Sequence, residues 1–129
     1  SPRIGILAEY DALPGVGNAA RPERSTREDG VTSGQGCGHN LFGAASTTAA
    51  VAIKRTMQEQ NIDGTIVLYG TPAEETVVGK VFMARAGLFD EMDAVLDWHP
   101  SDETKTRNDP GQAMNSFTVE FFGQGAHGA

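Results

Sequence analysis

Three short apolar runs mark this chain, at residues 4–8, 65–69 and 94–98. Each run is mostly continuous rather than alternating with polar residues, which is typical of strands that are buried on both faces of a sheet. The segments between the runs are longer and show either helical spacing or the polar composition of loops. Strands that alternate with helices predict an α/β fold, with a mainly parallel sheet and helices on its faces.

Two segments between the runs have the apolar spacing of helices. The first is predicted at residues 41–59, ending near Asn61 and Gly64, with this apolar stripe: Phe42, Ala45, Ala49, Ile53 and Met57. The second is predicted at roughly residues 79–86, because glycine commonly follows the end of a helix and Gly87 stands there. The following large side chains are expected in the core: Phe42, Phe82, Phe89, Met57, Met83 and Met92.

The last patterned segment differs from the earlier apolar runs. Residues 116–122 alternate between apolar and polar side chains, beginning with Phe117, Thr118 and Val119. A period of two is typical of a strand that exposes one face to water. We therefore predict a half-exposed strand over these residues, unlike the buried strands before it.

Ionisable side chains follow each of the three predicted buried strands. Asp11 follows the first, the adjacent pair Glu74-Glu75 follows the second, and His99 follows the third. In an open α/β sheet, ligands and catalytic groups lie beyond the carboxyl ends of the parallel strands. Cys37 and His39 precede the first helix, and a helix between parallel strands begins at that same edge. The pattern therefore predicts that these groups, from four separate segments, converge at one edge of the sheet.

The stretch from residue 34 to residue 40 contains the only cysteine of the chain and a histidine two positions later, Cys37 and His39. Thiolate sulfur and imidazole nitrogen are good ligands for zinc and neighbouring transition metals. Glycines on either side allow a tight backbone turn that aims both side chains at one point. A position at a helix N-terminus is expected to favour the deprotonated sulfur. The pair alone is a weak signal, because a single cysteine is more often a buried core residue.

Each of these residues also has a structural interpretation. The glutamate pair could favour the dipole in the first turn of a helix, and Asp11 could be a turn residue before Pro14. His99 could hydrogen-bond to the backbone at the end of its strand. Such structural roles are more common for any one residue, and only the shared edge favours a functional site.

Composition narrows the classes of function. The chain has 129 residues, of which 39% are hydrophobic, as expected for one soluble globular domain. A net charge of −7 argues against nucleic acid or an anionic membrane as a main partner. A single cysteine excludes an internal disulfide and fits a reducing, cytoplasmic compartment. Motifs of serine hydrolases, phosphate loops and Cys-x-x-Cys zinc sites are absent from the sequence.

Four motifs, in this order, resemble the amidohydrolase branch of the dinuclear metallopeptidases: ILAEYDALP (6–14), GCGHN (36–40), GTPAEE (70–75) and WHP (98–100). The branch includes aminobenzoyl-glutamate hydrolases, auxin-conjugate hydrolases and N-acyl amino acid amidohydrolases. The resemblance runs nearly from end to end. It implies a phosphorylase/hydrolase-like catalytic domain of the zinc exopeptidase type, which binds one or two zinc or manganese ions. The implied substrates are N-acyl amino acids or aminobenzoyl-glutamate-like amides.

The resemblance also implies roles for individual residues. The implied metal ligands are Cys37, His39, Glu75 and His99. Glu74 would be the general base that takes a proton from water, and Asp11 would orient groups near the metal. His127 resembles the histidine that reaches into a partner subunit's active site to bind the scissile carbonyl.

The resemblance further implies two domains. Residues 1–112 would form part of the catalytic domain, and residues 113–129 would begin a smaller α+β lid domain that also forms a homodimer interface. Both ends resemble cuts within a longer protein, because Ser1 leads directly into an apolar run and Ala129 lies in a Gly-rich stretch. The rest of the lid and a distal metal-ligating histidine would then lie outside this chain. Gln35 departs from the histidine frequent in the family, at a position that we do not count as a ligand.

Two alternatives to an amidohydrolase remain at this stage. A non-catalytic subunit could keep the motifs and bind acyl amino acids without hydrolysis, although the intact Glu74-Glu75 pair argues against it. The other alternative is a plain α/β domain that binds no metal at the sheet edge. A metal assay separates that domain from a metalloenzyme.

Overall fold

The computed structural model describes residues 1–106 and 113–128. Within these ranges the elements are β1 (Arg3–Glu9), α1 (His39–Gln60), β2 (Thr65–Thr71), α2 (Gly79–Arg85) and β3 (Ala94–Leu96). The three strands form a parallel sheet in the order β2-β1-β3. The predicted α/β fold with a parallel sheet is therefore confirmed, and each boundary lies within two residues of its predicted position.

Strand β1 is the centre of both the sheet and the core. It pairs along its whole length with β2 and over a shorter stretch with β3. The buried hydrophobic side chains are Ile6, Leu7, Ala8 and Phe42. Because the register aligns Glu9 with Thr71, the carboxyl ends of β1 and β2 lie side by side. The segments that follow these two strands therefore start at the same edge of the sheet.

Residues in the left-handed conformation bound α1 at both ends. Gly38 precedes the helix with φ 84°, and Asn61 follows it with φ 52°. The backbone N–H of Asn61 donates a hydrogen bond to the carbonyl of Met57 and closes the last turn. Glycine and asparagine tolerate positive φ better than other residues, which explains why the helix begins and ends at these positions.

The buried face of helix α1 overlaps the predicted apolar stripe only in part, because Phe42 is buried as predicted but other members of the stripe are not. Its buried residues are His39, Phe42 and Ser46. Ala45 and Ala49 are exposed. A Cβ atom at Gly43 would lie 3.0 Å from the carbonyl oxygen of Glu9, so the helix approaches β1 closely where it has no side chain. A small residue, rather than the most apolar positions, therefore sets the rotation of α1.

Helix α2 is short, and none of its residues is buried. Phe82 is 63% exposed, so the prediction that this side chain lies in the core is wrong. The helix presents no buried face, and nothing in the described part of the chain removes Phe82 from water. Gly87 follows α2 with φ 73°, as predicted. In the described ranges, neither helix has both the length and the apolar character needed to cross a membrane.

Residues 116–122 form no strand in the structure, so the predicted half-exposed strand is wrong. Phe117, Phe121 and Phe122 are 84%, 92% and 91% exposed. A strand is stable only when its backbone groups pair with a neighbouring strand. Among residues 1–106 and 113–128, no strand pairs with this segment. The alternating pattern indicates that the segment is able to form a strand. It does not indicate whether a second strand is present to pair with it.

Candidate metal centre

His39 lies at the centre of a cluster of carboxylates at the carboxyl edge of the sheet. It is the first residue of α1, and its side chain is fully buried. Its Nδ1 lies 3.2 Å from Asp11 Oδ1 and 3.7 Å from Glu75 Oε1. Its Nε2 lies 3.0 Å from Glu9 Oε2 and 3.7 Å from Glu74 Oε2. The imidazole therefore contacts acidic side chains from the carboxyl ends of both β1 and β2.

Cys37 and His99 form a second group around the same imidazole. Cys37 Sγ lies 3.3 Å from His99 Nε2, and the ring centroids of His39 and His99 are 5.5 Å apart. One potential ligand atom from each of these three residues lies within 4.8 Å of the other two. A sulfur and two imidazole nitrogens at such separations are a donor set that suits zinc.

The structure thus brings together the residues predicted to meet at the sheet edge: Asp11, Cys37, His39, Glu74, Glu75 and His99. His127 is exposed, and it belongs to neither group of potential metal ligands found among the described residues. The convergence of four segments is therefore observed. The chemical role of each residue remains a prediction.

Asp11 connects two of these segments through hydrogen bonds. Its Oδ1 lies 3.2 Å from His39 Nδ1, and its Oδ2 accepts a hydrogen bond of 2.9 Å from the backbone N–H of Glu75. Because an ionised carboxylate can only accept, the first contact favours the tautomer of His39 with its proton on Nδ1. The lone pair then belongs to Nε2. A histidine held in this way by a carboxylate is the usual arrangement of a metal ligand.

Two buried ligand atoms in this cluster lack a hydrogen-bond partner among the described residues, His39 Nε2 and Glu75 Oε1. Buried polar atoms are normally satisfied, and an unsatisfied one costs about 1–3 kcal/mol. A cation in contact with either atom would remove the cost at that atom. The residues present, with nitrogen, sulfur and oxygen donors, therefore fit a divalent metal ion.

Burial raises the pKa of the Cys37 thiol, and the carboxylates of Glu75, Glu74 and Glu9 raise it further. The predicted stabilisation of the thiolate by the helix N-terminus is therefore wrong for the protein without a bound cation. Cys37 lies two residues before α1, where desolvation and the neighbouring carboxylates favour the neutral thiol. A metal cation would reverse this balance, because it gives the sulfur a positive partner.

Metal binding is therefore expected to release a proton from Cys37. Because the thiol is protonated at neutral pH, metal affinity should fall by about tenfold per pH unit as the pH is lowered, for each proton displaced. Calorimetric titration with zinc in two buffers of different ionisation enthalpy counts the protons released. The Cys37→Ala protein should release about one proton fewer than wild type. Equal proton release from both proteins would contradict the prediction.

Trp98, the residue before His99, is hydrogen-bonded to α1. The sequence pattern did not indicate this contact. Trp98 Nε1 donates to Ser46 Oγ at 3.1 Å, and the Trp98 ring packs against Phe42 with a centroid distance of 5.4 Å. Helix α1 thus carries His39 directly and positions His99 through Trp98. A serine within an alanine-rich helix gives no signal of this contact, because its partner lies 52 residues away in the chain.

Replacing Ser46 with alanine is expected to weaken zinc binding about fivefold, since the loss of a hydrogen bond worth about 1 kcal/mol loosens the segment that carries His99. Thr48→Ala is the matched control, because the one hydrogen bond of the Thr48 hydroxyl to a described residue is donated to the carbonyl of Ala44 within the same helix. Zinc titration of the metal-free proteins measures both effects. Equal affinities in the two variants would show that the contact with Trp98 does not position His99.

Comparison with known proteins agrees with the motifs at this edge. A family model described as peptidase family M20/M25/M40 matches residues 5–126. A p-aminobenzoyl-glutamate hydrolase subunit of Escherichia coli is 41% identical over 99% of this chain and 27% of its own length. The Xaa-Arg dipeptidase of Homo sapiens is 33% identical over 98% of this chain and 26% of its own. The hippurate hydrolase of Campylobacter jejuni is 31% identical over 98% of this chain and 33% of its own length.

These comparisons confirm the resemblance that the four motifs indicated. The chain spans 26% to 33% of the length of these relatives. No solved structure matches the chain. Because the family model covers nearly all of its residues, the chain belongs to peptidase family M20/M25/M40.

Proposed function

We propose that the protein is a metal-dependent amidohydrolase, which cleaves the amide bond of N-acyl amino acids or aminobenzoyl-glutamate-like substrates. The observation that carries this proposal is the group of sulfur, nitrogen and carboxylate donors around His39 at the carboxyl edge of the sheet. The names of two relatives support amide substrates, since they refer to the hydrolysis of p-aminobenzoyl-glutamate and of hippurate. In both compounds an aromatic acyl group is joined to an amino acid.

The proposed metal site consists of Cys37, His39, Glu75 and His99, which would hold one or two zinc or manganese ions. Support comes from the buried and otherwise unpartnered His39 Nε2 and Glu75 Oε1. The sulfur ligand favours zinc, because manganese prefers oxygen donors. When bound, such an ion polarises the scissile carbonyl and acidifies a water molecule.

Glu74 would accept a proton from the attacking water and pass it to the leaving amine. Its side chain is 40% exposed, the most open of the four carboxylates around His39, so water and substrate can reach it. Asp11 is engaged by His39 and by the backbone of Glu75, and it would therefore orient these groups rather than react. The division of roles follows from what each carboxylate already contacts.

The lid and dimer arrangement is also proposed from the family resemblance. Residues 1–112 would belong to the catalytic domain and residues 113–129 to the lid, with a boundary outside the described residues. His127 would reach the active site of a second subunit in a homodimer. The exposed side chains of Phe117, Phe121 and Phe122 support contact with another surface. A cytoplasmic location likewise remains a prediction from the single cysteine.

Chelation followed by return of the metal tests the proposed function. The full-length protein that contains this chain, rather than the chain alone, is expected to release free amino acid from benzoyl-glycine or aminobenzoyl-glutamate, to lose this activity in EDTA, and to regain it with zinc or manganese. Release of the primary amine is the measured quantity. Undiminished hydrolysis in the chelator would contradict metal dependence. A metal-loaded protein that binds these amides in calorimetry without releasing product would be a non-catalytic subunit.

A further inference from the structure

Glu9 and Lys80 form an ion pair inside this cluster, and the proposed reaction uses neither residue. Lys80 Nζ contacts Glu9 Oε1, while the other oxygen, Oε2, lies 3.0 Å from His39 Nε2. Glu9 is the last residue of β1, and its side chain is 7% exposed. Lys80 belongs to α2, 71 positions later in the chain. The two oxygens of one buried carboxylate therefore face two different partners.

The approach of Glu9 to His39 lacks the geometry of a hydrogen bond. The carboxylate of Asp11 favours a proton on Nδ1, which leaves a lone pair on Nε2. Nε2 is buried and has no hydrogen-bond partner within the described part of the chain, even though Glu9 Oε2 is 3.0 Å away. A lone pair and a carboxylate oxygen that face each other repel, unless a cation contacts both. Two atoms that each bind zinc at about 2.0–2.2 Å lie about 2.8–3.6 Å apart for angles between about 90° and 110° at the metal, a range that includes this separation.

A second acidic group, Glu74, lies on the same side of the imidazole as Glu9. One potential ligand atom from each of Glu9, His39 and Glu74 lies within 4.8 Å of the other two. This group shares only His39 with the group of Cys37 and His99. The positive charge of Lys80 offsets part of the negative charge of Glu9 and Glu74. The ammonium group of Lys80 also pairs with one oxygen of Glu9.

We propose that Glu9 is an oxygen ligand of the metal centre on the Nε2 side of His39, and that Lys80 restricts it to a single ligand atom by holding the other oxygen. The inference rests on the proposed metal-dependent function, and it adds two residues to which the family resemblance gave no role. It also gives the centre a further acidic ligand besides Glu75.

A purely structural ion pair is the competing explanation, and it makes a different prediction. If the pair only stabilises the fold, loss of either member should weaken metal binding to a similar extent. In the proposed arrangement the two members have opposite effects. Removing the Glu9 carboxylate removes a ligand, whereas removing Lys80 removes a positive charge that repels the cation and frees a second oxygen.

Calorimetric titration of zinc into the metal-free protein distinguishes the two explanations. Glu9→Gln is expected to weaken binding at least about tenfold, whereas Lys80→Met is expected to bind zinc as tightly as wild type or more tightly. Glu91→Gln is the matched control, because Glu91 pairs with Arg3 at the opposite end of β1. Its affinity should match that of wild type. Thermal denaturation of the metal-free variants measures fold stability separately.

Cobalt substitution provides a readout of the ligand set itself. The visible absorption of bound Co²⁺ should change in Glu9→Gln and stay unchanged in Glu91→Gln. If Glu9→Gln does not fold, Glu9→Asp keeps the charge but withdraws the oxygen by one methylene group, and it should show the same loss of affinity. Unchanged affinity and spectrum in the Glu9 variant, or equal weakening in the Glu9 and Lys80 variants, would overturn the inference. A wild-type protein that binds no metal would overturn the proposed function as well.

Discussion

Glutamine in place of Glu74 is expected to abolish turnover while metal stays bound, with a fall in kcat of about 100-fold to 10,000-fold. The amide has nearly the size of the carboxylate, but it cannot accept the proton of the attacking water. The metal content should remain that of wild type, because Glu74 is not among the proposed ligands. Amine release and elemental analysis on the same preparations measure the two quantities.

Glu75→Gln is the matched control for this experiment, since it makes the same change at the adjacent residue. Glu75 Oε1 is buried and has no hydrogen-bond partner among residues 1–106 and 113–128, and Glu75 is a proposed ligand. The Glu75 variant should therefore lose metal together with turnover. Undiminished turnover in Glu74→Gln would contradict the assignment of Glu74 as the general base. Loss of metal from both variants would make Glu74 a ligand instead.

Removal of the His39 side chain is expected to have the largest effect on metal content. His39 is the one residue shared by both groups of potential ligands found in the described part of the chain. His39→Ala should lower metal affinity by about 100-fold or more, because it removes a buried nitrogen donor from the centre of the cluster. Cys37→Ala should also lose metal. Unlike His39→Ala, it keeps the imidazole that contacts the carboxylates of Glu9 and Asp11. Elemental analysis of protein purified without added metal gives the metal content per chain.

His127→Ala is the control for these two variants, because it removes a histidine that lies in neither group of potential ligands. It should keep the metal content of wild type even if it loses activity. Wild-type metal content in both His39→Ala and Cys37→Ala would contradict the proposed centre. Loss from all three variants would point to a general effect on folding, which thermal denaturation of the three proteins would reveal.

The sheet and its functional edge were predictable because both depend on patterns that are local in sequence. A continuous apolar run indicated the position of each strand, and helical connections between such strands favour a parallel sheet. The expected burial is confirmed for most of β1 but is wrong for β3, whose three residues are all exposed. The residues after each strand then meet at one edge, whatever their separation in the chain. Asp11 and Glu75 are hydrogen-bonded across 64 positions for this reason.

The errors concern contacts with partners that a local pattern does not contain. The alternation at 116–122 shows that the segment can pair, but a strand forms only where a second strand is present. The apolar stripe of α1 correctly included Phe42, but Ala45 and Ala49 are exposed, whereas the helix approaches the carbonyl of Glu9 closely at Gly43. Phe82 is apolar, yet the short helix that carries it has no buried face.

The sequence by itself determined the α/β class, the order of the elements and the six ionisable residues that meet at the sheet edge. Only the tertiary structure decided that His39 offers Nδ1 to Asp11 and Nε2 to Glu9, and that Lys80 reaches the same carboxylate. The physical reason is that periodicity records which side chains leave water. The distances between side chains depend on how segments far apart in the chain pack, and those distances set the tautomer of the histidine and the ligands within its reach.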